Sequence, residues 1–226
     1  MTEAEWLEST DPGEMYFRVV KPLGVSQRRL DLYCFACAHL VLHLIEDEKV
    51  RRVFEWLGEH PGLRATSTAA GLVRYLFHGR RAQALYDAHL RREQSVSGAA
   101  VHVAYDFWAG WYEYAFPNLG EYFTDPGAPY RGALREDPRT YLPAVLRDIC
   151  GNPFHPVAFS PDWRTSTAVA IAQQMYESRD FSPMPLLADA LEDAGCDNAD
   201  ILEHCRDAKV PHVRGCWAVD QVLGKE

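Results

Sequence analysis

Long apolar runs and excess positive charge are what this chain lacks. No hydrophobic stretch reaches the roughly 18 residues that a bilayer span needs. The longest, Leu40 to Ile45, is interrupted by His43 and closed by Glu46-Asp47-Glu48. The acidic opening Met1-Thr2-Glu3-Ala4-Glu5-Trp6 has none of the charged-then-apolar build of a signal peptide. A cytoplasmic chain without membrane contact is the expectation. Lys and Arg number 23 against 32 Asp and Glu, a formal charge of -9, so general binding to nucleic acid or anionic lipid lacks the field that would neutralise phosphates. Also missing are GxxxxGK[ST], GxGxxG after a strand, HExxH and GxSxG, which removes support for nucleotide-binding, zincin and ordinary serine-hydrolase chemistry. The six cysteines are expected as reduced thiols in such a compartment, not as a disulfide framework.

One local stretch departs from the acidic balance. Between Arg64 and Arg92 the arginines at 64, 74, 80, 81, 91 and 92 face the single acid Asp87. A solvated helix face accounts for such a run. Arg74, Arg80, Arg81, Arg91 and Arg92 are nonetheless the candidate partner-binding residues, with another protein as the expected partner.

What is present is helix. The chain is 47% hydrophobic and 12% aromatic, ample for a core. Thr2-x-x-Glu5 reads as a capping box, and Asp11-Pro12-Gly13-Glu14 repeats its logic with proline at the first helical position and Glu14 placed to reach back. Ser26 caps a longer helix to about Ile45, in which Leu30, Cys34, Cys37, Val41 and Leu44 form one stripe. Lys49 to Leu57 follows, stopped by Gly58 and the breaker His60-Pro61-Gly62. Thr66 to Gln94 and Gly98 to Phe116 read as further helices, the second filled with aromatics. A turn-rich segment over 117–138 is the candidate boundary between lobes. Helices are then expected from Tyr141 to Cys150, from a Ser160 cap to Ser178, over Met184 to Ala194, after Asp197 or Asn198, and from Val213 to Leu223.

Two cysteine-histidine patterns invite chemistry. Cys34-Phe35-Ala36-Cys37 is a CxxC, but a redox pair needs its first thiol at a helix N-terminus after a strand. Here both cysteines sit on the apolar stripe, where a thiol behaves as a small hydrophobe. His39, His43 and Glu46 share another face of the same helix, half of a metal site or a polar surface. The richer pattern is the tail. Cys196, Cys205, His212 and Cys216 could supply four ligands to a zinc ion, although no short CxxC or HxxxH pair occurs among them. Cys205 follows Ile201 by one turn and also fits an apolar helix face. A cysteine nucleophile assisted by His204 or His212 is the other chemistry available, but neighbours in sequence need not meet in space.

Several segments together carry a resemblance. Thr2-Glu3-Ala4-Glu5-Trp6-Leu7 with Asp11-Pro12, the Cys34-to-Cys37 helix, Gly151-Asn152-Pro153-Phe154, Leu187 to Cys196 (LADALEDAGC), and His212-Val213-Arg214-Gly215-Cys216-Trp217 through Leu223-Gly224-Lys225-Glu226 resemble an uncharacterised, paralogue-rich bacterial family. The likeness carries over no catalytic residue. It implies a helical protein whose termini form a shared frame and whose middle, about Leu57 to Arg135, adapts to different partners.

The expected fold is all-α, an irregular bundle of roughly eight to eleven helices in one domain or two close lobes. The expected function is a non-catalytic interaction or regulatory module; the alternative is a zinc-binding protein, enzyme or sensor, using the tail.

Overall fold

A computed structural model describes residues 1–60, 100 and 131–225. Nine helices and no strand are found among the described residues, and the all-α expectation holds. The helices expected between Thr66 and Phe116, and the arginines at 74, 80, 81, 91 and 92, lie outside the described residues. The chain divides into two compact units, one of Met1–Glu8 with Pro143–Glu226, the other Ser9–Leu142.

Local chemistry explains where most helices start. Helix α1 (Glu3–Glu8) opens on the capping box: the Thr2 amide donates to Glu5 Oε2 at 2.7 Å and the Glu5 amide to Thr2 Oγ1 at 3.3 Å. Helix α2 (Pro12–Met15) is capped by Asp11, which accepts from the Gly13 and Glu14 amides, and continues through a π turn (Tyr16–Val20) to a last α turn (Lys21–Leu23). Glu14 does not reach back as expected; it pairs with Arg18 one turn on, at 2.6 Å. Helix α3 (Gln27–Leu42) begins at Ser26 and buries both Cys34 and Cys37. Burial, then the neighbouring Cys34, pushes the Cys37 thiol well above its ordinary range. These thiols are core material.

Helix α4 (Glu48–Glu59) ends one residue past Gly58, just before His60, close to the expected stop. Gly58 also serves packing: a Cβ at position 58 would overlap the Phe35 ring of α3, so glycine admits the ring at the cost of some helix propensity.

Helix α5 (Pro138–Cys150) starts three residues before the expected Tyr141, because Asp137 caps it through the Arg139 amide at 3.0 Å. Its C-terminal half belongs to the first unit, where Arg147 donates from Nε (2.9 Å) and Nη2 (2.7 Å) to the Trp6 carbonyl and so fastens α1. Trp6 is fully buried.

The rest of this unit is α6 (Ser166–Ser178), α7 (Met184–Asp193), α8 (Ala199–Arg206) and α9 (Trp217–Leu223). Thr165, not Ser160, caps α6, through the Ala168 amide at 3.2 Å. Ser160 instead caps a separate 3-10 turn, Pro161–Trp163. Met175, Leu187, Leu191, Ile201, Val219 and Val222 fill one core together with Cys196, Cys205 and Cys216. Burying each large apolar side chain contributes about 1.5–3 kcal/mol.

Candidate metal centre

The first unit brings four donor side chains to one place. Asp148 comes from the last turn of α5, a helix closed by Gly151 in the left-handed region at φ 71°. His204 comes from the last turn of α8, which Asn198 starts by accepting from the Ile201 amide at 3.1 Å. With Ile201, Leu202 and Cys205 turned into the core, His204 lies partly buried at its margin. His212 and Cys216 come from the link between α8 and α9. That link was expected to be helical from Val213, but Gly215, at φ 101°, interrupts it and α9 begins only at Trp217. The break leaves Cys216 just ahead of α9 instead of inside a helix.

One oxygen, nitrogen or sulfur from each of Asp148, His204, His212 and Cys216 lies within 4.8 Å of all the others. His212 Nδ1 is 2.9 Å and His204 Nε2 is 3.3 Å from Asp148 Oδ1. His204 Nε2 is 3.2 Å and His212 Nδ1 is 3.9 Å from Cys216 Sγ. Zinc bonds of about 2.0–2.3 Å in a tetrahedron place donors roughly 3.3–3.8 Å apart. The donors therefore stand close to where a tetrahedral ion would hold them. The other carboxylate oxygen, Asp148 Oδ2, accepts from the Val213 amide at 2.9 Å, which leaves Oδ1 as the oxygen turned to the histidines.

The surroundings are dry. Asp148 and Cys216 are 0% exposed, and the His204 and His212 side chains only 14% and 7%. Burial would push the Asp148 carboxyl up, but hydrogen bonds from His204 and His212 outweigh it and hold the group below the usual carboxylate range. Burial, then the Asp148 charge, pushes the Cys216 thiol well above its usual range. A cation among these donors would reverse that effect and favour the thiolate.

The geometry also bears on a cysteine nucleophile. A Cys-His-Asp relay uses opposite ring nitrogens, one toward the thiol and one toward the carboxylate. Here each imidazole turns a single nitrogen toward both groups. The arrangement is convergent, as ligands are, and a thiol pushed upward is the reverse of an activated nucleophile.

Of the four tail residues singled out in the sequence, His212 and Cys216 belong to this group, while Cys196 and Cys205 are buried in the adjoining core. Burial, then the Asp148 charge, pushes the Cys205 thiol up to about 12, and burial raises Cys196 as well. Asp148 and His204 were not in the sequence-derived set. His204 was visible as a helix residue beside Cys205; nothing in the local pattern marks Asp148, 56 residues before it. Of the trio expected to share one helix, only His39 lies on α3, which ends at Leu42; His39 and Glu46 are exposed, and His43 Nε2 is 2.9 Å from the Ala133 carbonyl.

Searches against protein-family models, curated proteins and solved structures find no match to the chain.

Proposed function

We propose that the chain is a metal-binding helical protein that holds one zinc ion between Asp148, His204, His212 and Cys216. The observation that supports this reading is the convergence of four donors, Asp148 and Cys216 buried and the two histidines partly so, each histidine offering one nitrogen to the common point. Charge balance supports it too. An Asp148 carboxylate and a Cys216 thiolate neutralise a divalent ion, and a neutral centre is far cheaper to bury than an unpaired charge. The mixed oxygen, nitrogen and sulfur set suits zinc better than magnesium or calcium, which prefer all-oxygen shells.

The role that fits is structural, not catalytic. Four protein donors complete a tetrahedron, whereas catalytic zinc keeps a position for water or substrate. The ion would tie α5, α8 and the link before α9 together and so fasten the C-terminal layer. On this reading the protein is a metal-stapled, non-catalytic module. Docking of a partner protein through Arg74, Arg80, Arg81, Arg91 and Arg92 is a separate proposal that rests on sequence alone.

Elemental analysis of protein purified without a metal-affinity tag tests the reading. One zinc per chain, lost in Cys216→Ser, is the expected result. Folded protein that carries no zinc and takes none up would overturn it.

A further inference from the structure

Histidine ligands are usually oriented by a hydrogen bond from the outer ring nitrogen to a carboxylate, carbonyl or water. Neither histidine here has that support from the described residues. His204 uses Nε2 toward the cluster and makes no hydrogen bond through its other nitrogen to any described residue. The outward nitrogen of His212, Nε2, is buried without a hydrogen-bond partner. Rings hold them instead. His212 meets His204 edge-on, centroids 4.9 Å apart at 84°, and the His204 ring also meets Trp217, at 4.9 Å and tilted by 42°.

Trp217 is in turn fixed from below. It is the first residue of α9, directly after the donor Cys216, and its indole lies over Gly151, just past the end of the helix that carries Asp148. A Cβ at Gly151 would come within 3.3 Å of Trp217 Cγ, tighter than ordinary contact, and the backbone there is already at φ 71°. Glycine at 151 therefore sets how deep the indole sits, and the indole sets the plane of His204.

We infer that Trp217, seated on Gly151, is the positioning residue of the metal centre, orienting His204 and through it His212 by ring contact where a hydrogen bond normally does so. The inference rests on the metal reading above. Trp217 touches no reacting group and donates nothing to the ion; it narrows the orientations in which the imidazole nitrogens converge.

The test is cobalt(II) titration against a competing chelator, read by the visible d–d absorption, for wild type, Trp217→Ala, Trp217→Phe and Gly151→Ala. Trp217→Ala should weaken cobalt binding about 10- to 100-fold, as loss of outer support does in other centres, and alter the d–d envelope. Trp217→Phe, which keeps a ring against His204, should restore affinity to within a few-fold of wild type. Gly151→Ala, which displaces the indole without removing it, should weaken binding in the same direction and serves if Trp217→Ala does not fold. Folded Trp217→Ala or Gly151→Ala with wild-type affinity and spectrum would overturn the inference while leaving the metal centre intact. Wild-type protein that gives no cobalt spectrum would overturn the metal reading itself, and this inference with it.

Discussion

His212 Nδ1 donates to Asp148 Oδ1 at 2.9 Å, joining residues 64 positions apart, and the adjacent Val213 amide takes the second carboxylate oxygen at 2.9 Å. A carboxylate with no exposure is tolerable only when satisfied in this way. Asp148→Asn keeps the shape but removes the charge that the two imidazoles address. It should abolish zinc retention and lower the stability of metal-free protein by about 3 kcal/mol, the scale for breaking a buried charged pair. Denaturant unfolding with chelator present measures the second effect separately from the first.

The pH dependence of metal-free protein follows from the same carboxylate. Its folded value lies below the ordinary one, so its stabilising contribution is fully present above the unfolded value of about 4 and is lost as pH falls through the folded value. Thermal unfolding in chelator should show a decline setting in below about pH 4–5 that Asp148→Asn lacks. An identical acid limb in both proteins would contradict this.

Metal uptake should run the other way. Burial and Asp148 push the Cys216 thiol well above its usual range, so zinc must displace at least one proton on binding. Calorimetric titration in two buffers of different ionisation heat should show proton release, and apparent affinity should rise with pH between 6 and 8. Affinity flat with pH would mean that no thiol is a ligand.

The neighbouring thiols give the most selective comparison. Cys196→Ala and Cys205→Ala remove small core side chains and should cost about 1 kcal/mol each while leaving zinc in place. Cys216→Ala should lose the metal. Zinc counted per chain in the three variants checks this directly.

The sequence made the helical class legible because caps and periodic apolar stripes are local. Thr2 with Glu5, Asp11, Ser26 and Asn198 all cap as the pattern indicates. It read Gly58 only as a stop signal, whereas the close approach of the Phe35 ring to that glycine depends on tertiary packing. The tail was recognisable as a cysteine- and histidine-rich segment, and His212 and Cys216 follow from it. Helical phase correctly suggested that Cys205 extends an apolar face, whereas Asp148 was invisible. A carboxylate in the last turns of an amphipathic helix looks like surface until the fold brings His204, His212 and Val213 against it.

X-ray absorption at the zinc edge tests the central claim most directly, because it counts the donors around the ion. One sulfur at about 2.3 Å and three nitrogen or oxygen donors at about 2.0–2.1 Å is the predicted shell. Two or three sulfurs would place Cys196 or Cys205 on the ion and contradict the Asp148–His204–His212–Cys216 centre, as would protein that holds no zinc at all.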